Sequence, residues 1–81
     1  MKLPRDVSGR DLVKLLMRYG YSVVRQSGSH IRLSSSYRGT EHHVTIPDHD
    51  PLRLGTLSSI LGDVAEYLQK DREQLRKELF G

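Results

Sequence analysis

Residues 27–34 read Ser27-Gly28-Ser29-His30-Ile31-Arg32-Leu33-Ser34. Gly28 and Ser29 make a short hinge directly before an imidazole, and from His30 onward polar and apolar residues alternate. A period of two is the pattern of a strand with one buried face. It sends Ile31 and Leu33 inward and leaves His30, Arg32 and Ser34 on the other side. A strand leaving a tight turn pairs antiparallel with the run before it. That run, Tyr21-Ser22-Val23-Val24-Arg25-Gln26, is β-branched and aromatic, as a strand should be. Its inward face stays open between two sets: Tyr21, Val23 and Arg25, or Ser22, Val24 and Gln26. After the polar loop Ser36-Tyr37-Arg38-Gly39-Thr40, a third strand is expected over His42–Ile46. It carries His42, Val44 and Ile46 on one face and His43 and Thr45 on the other. Pro47 has no N–H to donate and closes it.

Helical patterns flank this β region. Ser8 reads as an N-cap with Asp11 in a capping-box position. Leu12, Leu15, Leu16 and Tyr19 follow helical spacing, and Gly20 suits the left-handed residue that ends a helix, so a first helix is expected over Gly9–Tyr19. Leu54, Leu57, Ile60, Leu61, Val64 and Leu68 give a second helix over Leu54–Leu68, in which Gly62 marks a possible bend. Asp71 reads as a new N-cap with Gln74 at the capping-box position, and Leu75, Leu79 and Phe80 form the stripe of a third helix ending at Gly81. The fold class is therefore α+β, with a three-stranded antiparallel sheet, helices on one face and the order α-β-β-β-α-α. The other sheet face stays polar, with His30, Arg32, His43 and Thr45 on it. Residues 1–81 read as one domain, near the lower size limit for a chain without staples.

The chain contains no cysteine, so disulfides and thiolate zinc sites are not available. That fits a reducing compartment, and a cytoplasmic location is expected. Met1-Lys2-Leu3-Pro4-Arg5-Asp6 lacks the apolar core of a signal peptide, and no apolar run approaches a membrane span. Charge is unevenly distributed. Residues 1–40 carry Lys2, Arg5, Arg10, Lys14, Arg18, Arg25, Arg32 and Arg38 against Asp6 and Asp11, a balance of +6, while residues 41–81 balance at −3. A basic half built mostly of arginine points to a polyanion, of which phosphate is the commonest, although a solvated basic surface has the same composition.

The sharpest chemical signal is His30 beside Arg32. An imidazole gives or takes a proton near pH ~6.5. A guanidinium nearby suits a phosphate. Spacing alone does not separate this reading from a surface histidine after a hairpin turn. Asp48-His49-Asp50, with His42 and His43 nearby, invites a metal reading. Adjacent strand residues point to opposite faces, however, and no HxxxH spacing occurs, so neither a metal nor another cofactor is expected.

Five stretches together resemble the HicA family of toxin ribonucleases, also called YcfA-like proteins. They are Leu3-Pro4-Arg5-Asp6-Val7-Ser8-Gly9, Gly20-Tyr21, Val24-Arg25-Gln26-Ser27-Gly28-Ser29-His30, Val44-Thr45-Ile46-Pro47-Asp48-His49, and Leu54-Gly55-Thr56-Leu57-Ser58-Ser59-Ile60-Leu61. They occur in the family's order and span nearly the whole chain. The resemblance implies a fold like a double-stranded-RNA-binding domain. It also implies cleavage of mRNA that blocks translation, and neutralisation by a HicB-like antitoxin. The family's catalytic histidine lies in its Gly-Ser-His motif, here His30, and its proline–one residue–histidine pattern is kept by Pro47-Asp48-His49. The helix after Asp71 is longer than in the shortest members, a difference that touches partner contacts rather than the site.

On this basis the chain is expected to be a metal-independent endoribonuclease with His30 as general acid or base. Arg25 and Arg32 would hold phosphate, Lys14 and Arg18 would position the strand, and Gly28 and Ser29 would let the RNA backbone approach and donate to it. A non-catalytic RNA-binding module would use the same basic surface without needing His30, and a protein-interaction domain would dock an acidic partner there.

Overall fold

A computed structural model describes residues 3–81. The capping box read from Ser8 and Asp11 forms. The Ser8 hydroxyl accepts from the Asp11 amide at 3.0 Å, and the Asp11 carboxylate accepts from the Ser8 amide at 3.2 Å. Two amides that no helical carbonyl can reach are satisfied this way. α1 (Gly9–Leu16) follows, then tightens into a 3₁₀ turn over Met17–Tyr19 that Gly20 ends at φ 79°. Its buried stripe is Leu12, Val13, Leu16 and Tyr19. Val13 takes an inward place, and Leu15, expected on the stripe, is only partly buried.

β1 (Ser22–Ser27), β2 (His30–Ser35) and β3 (His42–Pro47) form an antiparallel sheet in the order β1-β2-β3. Ile31 and Leu33 point inward as expected, beside Val44 and Ile46 of β3, and all four are buried. β1 resolves its ambiguity in a way that alternation does not anticipate. Val23 pairs with Leu33 but Arg25 pairs with Arg32, so Val24 is the extra residue of a β-bulge. Val23 therefore lies on the helix side and Arg25 on the open side, although they are two apart. All six β1 residues are exposed, so neither of the two sets is a core face; Tyr21, just before the strand, is the buried anchor at 2% exposure.

α2 (Leu54–Leu68) and α3 (Arg72–Phe80) complete the order α-β-β-β-α-α. Leu57, Leu61 and Val64 of α2 and Leu75 and Leu79 of α3 join α1 and the inner sheet face in a single core cluster. α2 runs unbroken through Gly62, so the expected bend is absent. A Cβ there would meet the Arg72 guanidinium at 3.7 Å, and Arg72 donates to the Ser58 carbonyl at 2.9 Å. Asp71 caps α3 by accepting from the amides of Glu73 and Gln74 at 3.1 and 3.3 Å. The Gln74 side chain does not close a capping box; it donates to Glu78 at 3.1 Å.

Glu78 ties α3 to the end of α1. Its carboxylate accepts from the Tyr19 hydroxyl and from Lys70 at 3.0 Å, while Arg18 donates to its backbone carbonyl at 2.7 Å. The Tyr19 and Lys70 donors hold the carboxyl below its ordinary value of 4.5. Burial, reinforced by Glu78, pushes Tyr19 up to about 12. A depressed carboxylate stabilises the fold above its unfolded pKa and stops doing so as pH falls through the folded one. Acid titration of thermal stability should therefore show a loss beginning near pH 4.5 that Glu78→Gln reduces; an unchanged acid limb in that variant would remove Glu78 from the account.

The N-terminus of α1 is fitted against the end of β3. The Gly9 amide donates to the His49 carbonyl at 2.9 Å, and Leu52 donates to Val7 at 2.8 Å. Any Cβ at Gly9 would collide with the Pro47 carbonyl. Overpacking against rigid backbone costs ~1–3 kcal/mol or more. Gly9→Ala should lower unfolding stability by at least that amount in urea titration, whereas Gly55→Ala, where nothing lies near the added carbon, should be neutral or stabilising.

Candidate functional site

The Gly28-Ser29 turn joins Ser27 to His30, which face each other across the hairpin. Gly28 has φ +57° and Ser29 has no positive φ, the pattern of a type II′ turn, whose first position favours glycine. The amide of Asp48 donates to the Ser29 carbonyl at 2.7 Å, so the loop after β3 holds the turn in place. Asp48 is itself held by Arg10 through three guanidinium hydrogen bonds of 3.0, 3.1 and 3.3 Å, and this partner keeps its carboxyl below the ordinary carboxylate value.

On the open sheet face, strand register builds rows of side chains. Ser27, His30 and Pro47 form one row; Arg25, Arg32 and Thr45 form the next. Together Arg25, Ser27, His30, Arg32 and Thr45 line an open groove of about 270 Å³. The structure thus brings His30, Arg25 and Arg32 into one place beside the Gly28-Ser29 turn. The bulge makes this possible, since it puts Arg25 on the same face as Arg32.

The two arginines differ from most of the others, although Arg5 and Arg53 likewise hold no acceptor among the described residues. Arg10, Arg18, Arg38, Arg72 and Arg76 each donate to an acceptor within the protein. Arg25 and Arg32 hold none among the described residues, yet they sit directly opposite each other. Like charges directly opposed across two strands are destabilising. An anion between them removes that cost, and a forked guanidinium is suited to phosphate oxygens.

The other expected contacts are elsewhere. Lys14 lies round the β1 edge, on a separate groove of about 220 Å³ between α1 and β1. Arg18 is engaged with α3 and does not join the groove. His43, placed on the polar face by alternation, bonds to Glu41 at 2.6 Å. His42 Nδ1 meets the Tyr21 hydroxyl at 2.7 Å, and its ring stacks on Tyr67 at 4.6 Å. Among the described residues, no group of three or more His, Cys, Asp or Glu is placed to hold a metal ion. Thr45, placed on the polar face by alternation, lines the groove as expected; Ser27 lines it too and was not named from sequence, although counting back across the turn from His30 finds it. None of the described helices is long and apolar enough to cross a membrane.

These features define an α+β domain whose open sheet face carries a histidine and two acceptor-free arginines. The chain belongs to the HicA family: the family model for the HicA toxin of bacterial toxin-antitoxin systems matches residues 9–65, from α1 through most of α2. It is a toxin of a bacterial toxin–antitoxin system. Searches of curated proteins and of solved structures each gave no match.

Removing one member of the opposed arginine pair should not weaken the free protein. Arg32→Ala should leave stability unchanged or raise it by up to ~0.5 kcal/mol at low salt, with the gain fading as salt screens the pair. A fall of more than ~1 kcal/mol in thermal or urea unfolding would mean that the fold itself uses the guanidinium.

Proposed function

We propose that this toxin is a metal-independent endoribonuclease that cleaves mRNA on the open sheet face. His30 is its general acid–base residue, and a HicB-like antitoxin is its natural inhibitor. The observation that carries the reading is the opposed, acceptor-free pair Arg25 and Arg32 in one groove with His30, in a chain of the HicA family.

RNA carries its own nucleophile, the 2′-hydroxyl. In the proposed reaction His30 accepts the 2′-hydroxyl proton as that oxygen attacks the adjacent phosphorus. The bond from phosphorus to the 5′-oxygen breaks, and the leaving oxygen takes a proton from solvent. The products are a 2′,3′-cyclic phosphate and a 5′-hydroxyl. Arg25 and Arg32 stabilise the charge that develops on the phosphorane oxygens. Gly28 lets the sugar–phosphate backbone approach the turn closely, because nothing lies near its α-carbon. Ser29 adds a hydroxyl donor at the same place, and Lys14 extends the cationic track around the β1 edge. With one imidazole in the groove, acid and base roles are not shared between two residues, which predicts a slow enzyme.

General acid–base catalysis contributes ~10²–10⁴-fold, so His30→Ala should reduce cleavage by at least ~10²-fold in the presence of EDTA. The variant should fold as the parent does, since His30 is exposed, and circular dichroism checks this. RNA affinity should fall with salt at about −0.7 in log–log slope per phosphate contacted, and Arg32→Ala should flatten that slope. Full RNA binding with no cleavage by the parent would leave a binding module, and cleavage that does not depend on His30 would remove that residue from the mechanism. Loss of cleavage on adding EDTA to the parent would overturn metal independence.

A further inference from the structure

The open sheet has two outer edges, β1 and β3; β1 has all six residues exposed, whereas β3 buries Val44 and Ile46. In an antiparallel pair, alternate residues turn both N–H and C=O away from the partner strand. β1 therefore presents a row of unpaired donors and acceptors along this edge. Proteins blunt such edges with charge (above all lysine), proline, a bulge or a covering element, and of these β1 has the bulge and Arg25. β1 reads Ser22-Val23-Val24-Arg25-Gln26-Ser27 and contains neither lysine nor proline. The bulge at Val24 divides the edge, so a strand that fits it is short.

The surroundings are apolar and cationic. Val23, Val24 and Met17 are 45%, 54% and 53% exposed, among the most exposed large apolar side chains described. Met17 lines the groove between α1 and β1, which is rimmed by Arg10 and Lys14. From residue 12 to residue 40 there is no Asp or Glu. Pairing with a second copy would set this cationic edge against itself. Exposed valines and a backbone ladder suit a peptide strand rather than a nucleic acid.

We propose that the β1 edge is the docking site for the antitoxin, which adds one short, acidic, extended strand there and covers Val23, Val24 and Met17. The inference rests on the toxin–antitoxin reading above and gives it a surface. A residue of the added strand opposite Arg25 falls on the open face within ~5 Å. A carboxylate at that position neutralises one of the two cations offered to RNA, so docking at the edge also disables the groove.

The test is hydrogen exchange of the full chain, free and bound to its HicB-like antitoxin, beside the charge-neutral double variant Met17→Ser with Val23→Ser. Amides of residues 22–27 should slow by roughly tenfold or more in the complex. The double variant should bind antitoxin at least ~10-fold more weakly, a difference of ~1.4 kcal/mol, while cleaving RNA like the parent. Equal exchange in free and bound chain, undiminished affinity in the folded variant, or no antitoxin binding at all overturns the proposal. A free chain that dimerises, with the same variant breaking the dimer, overturns it in favour of a second copy. Protection of β1 together with His30-independent cleavage keeps the docking site and discards the catalytic reading; His30-dependent cleavage with an unprotected β1 does the reverse.

Discussion

The backbone of Pro47, Asp48 and His49 is where the separate parts of this fold meet. The Pro47 carbonyl lies so close to Gly9 that no side chain fits there, and the His49 carbonyl receives the Gly9 amide. The Asp48 amide reaches back to the Ser29 carbonyl, and the Asp48 carboxylate reaches across to Arg10. Two elements distant in sequence are thereby fixed to one tripeptide: the start of α1 and the β1–β2 turn. The turn that presents His30 is not left to its own conformational preference. Its orientation is inherited from the helix start, which in turn rests on the core through Leu12 and Leu16.

Against that rigid frame, two groups of arginines differ in kind. One group serves the structure: Arg10 on Asp48, Arg18 on the last turn of α3, Arg72 on α2, and Arg76 on Glu73 at 2.7 Å. The other, Arg25 and Arg32, opposes like charge to like charge with no acceptor among the described residues. A locally unfavourable arrangement that the rest of the fold tolerates is the expected mark of a binding face, because consistency elsewhere can carry a small local cost. The Val24 bulge is what creates it. Without that extra residue Arg25 would lie on the helix side and the open face would carry one arginine instead of two.

Element order, both N-caps and the inward residues of β2 and β3 were legible in the sequence, because each follows from local chemistry or strict periodicity. Ser8 with Asp11 makes a reciprocal cap that needs no tertiary context, and Ile31 and Leu33 alternate cleanly. β1 was not legible. A bulge interrupts the period of two, and an exposed edge strand offers no burial for a pattern to report. Gly62 lies within an unbroken α2, where an added Cβ would meet Arg72 only at ordinary contact distance. His30, Arg32 and Thr45 were legible as residues of one face; Arg25 was named beside them, but its place on that face depends on the bulge. Arg18 and Lys14 show the limit of reading charge alone. Both lie on α1 or its final turn, yet one is drawn to α3 and the other to the rim of a different groove.

The aromatic rings are confined to the end of the molecule away from the hairpin turn. Tyr21, His42 and Tyr67 pack on one another beside the Ser35–His42 pair, Tyr19 and Tyr37 meet edge to face at 6.1 Å, and the Tyr67 hydroxyl gathers the loop after β2. His30 lies at the other end of β2, about 16 Å away at ~3.3 Å per residue. The chain has four tyrosines and no tryptophan, so its near-ultraviolet absorption and emission arise almost wholly at that far end. Light therefore reports the integrity of the core but is nearly blind to events in the groove. Burial holds Tyr19 and Tyr21 protonated beyond the range of an ordinary phenol, so alkali reaches these two rings late.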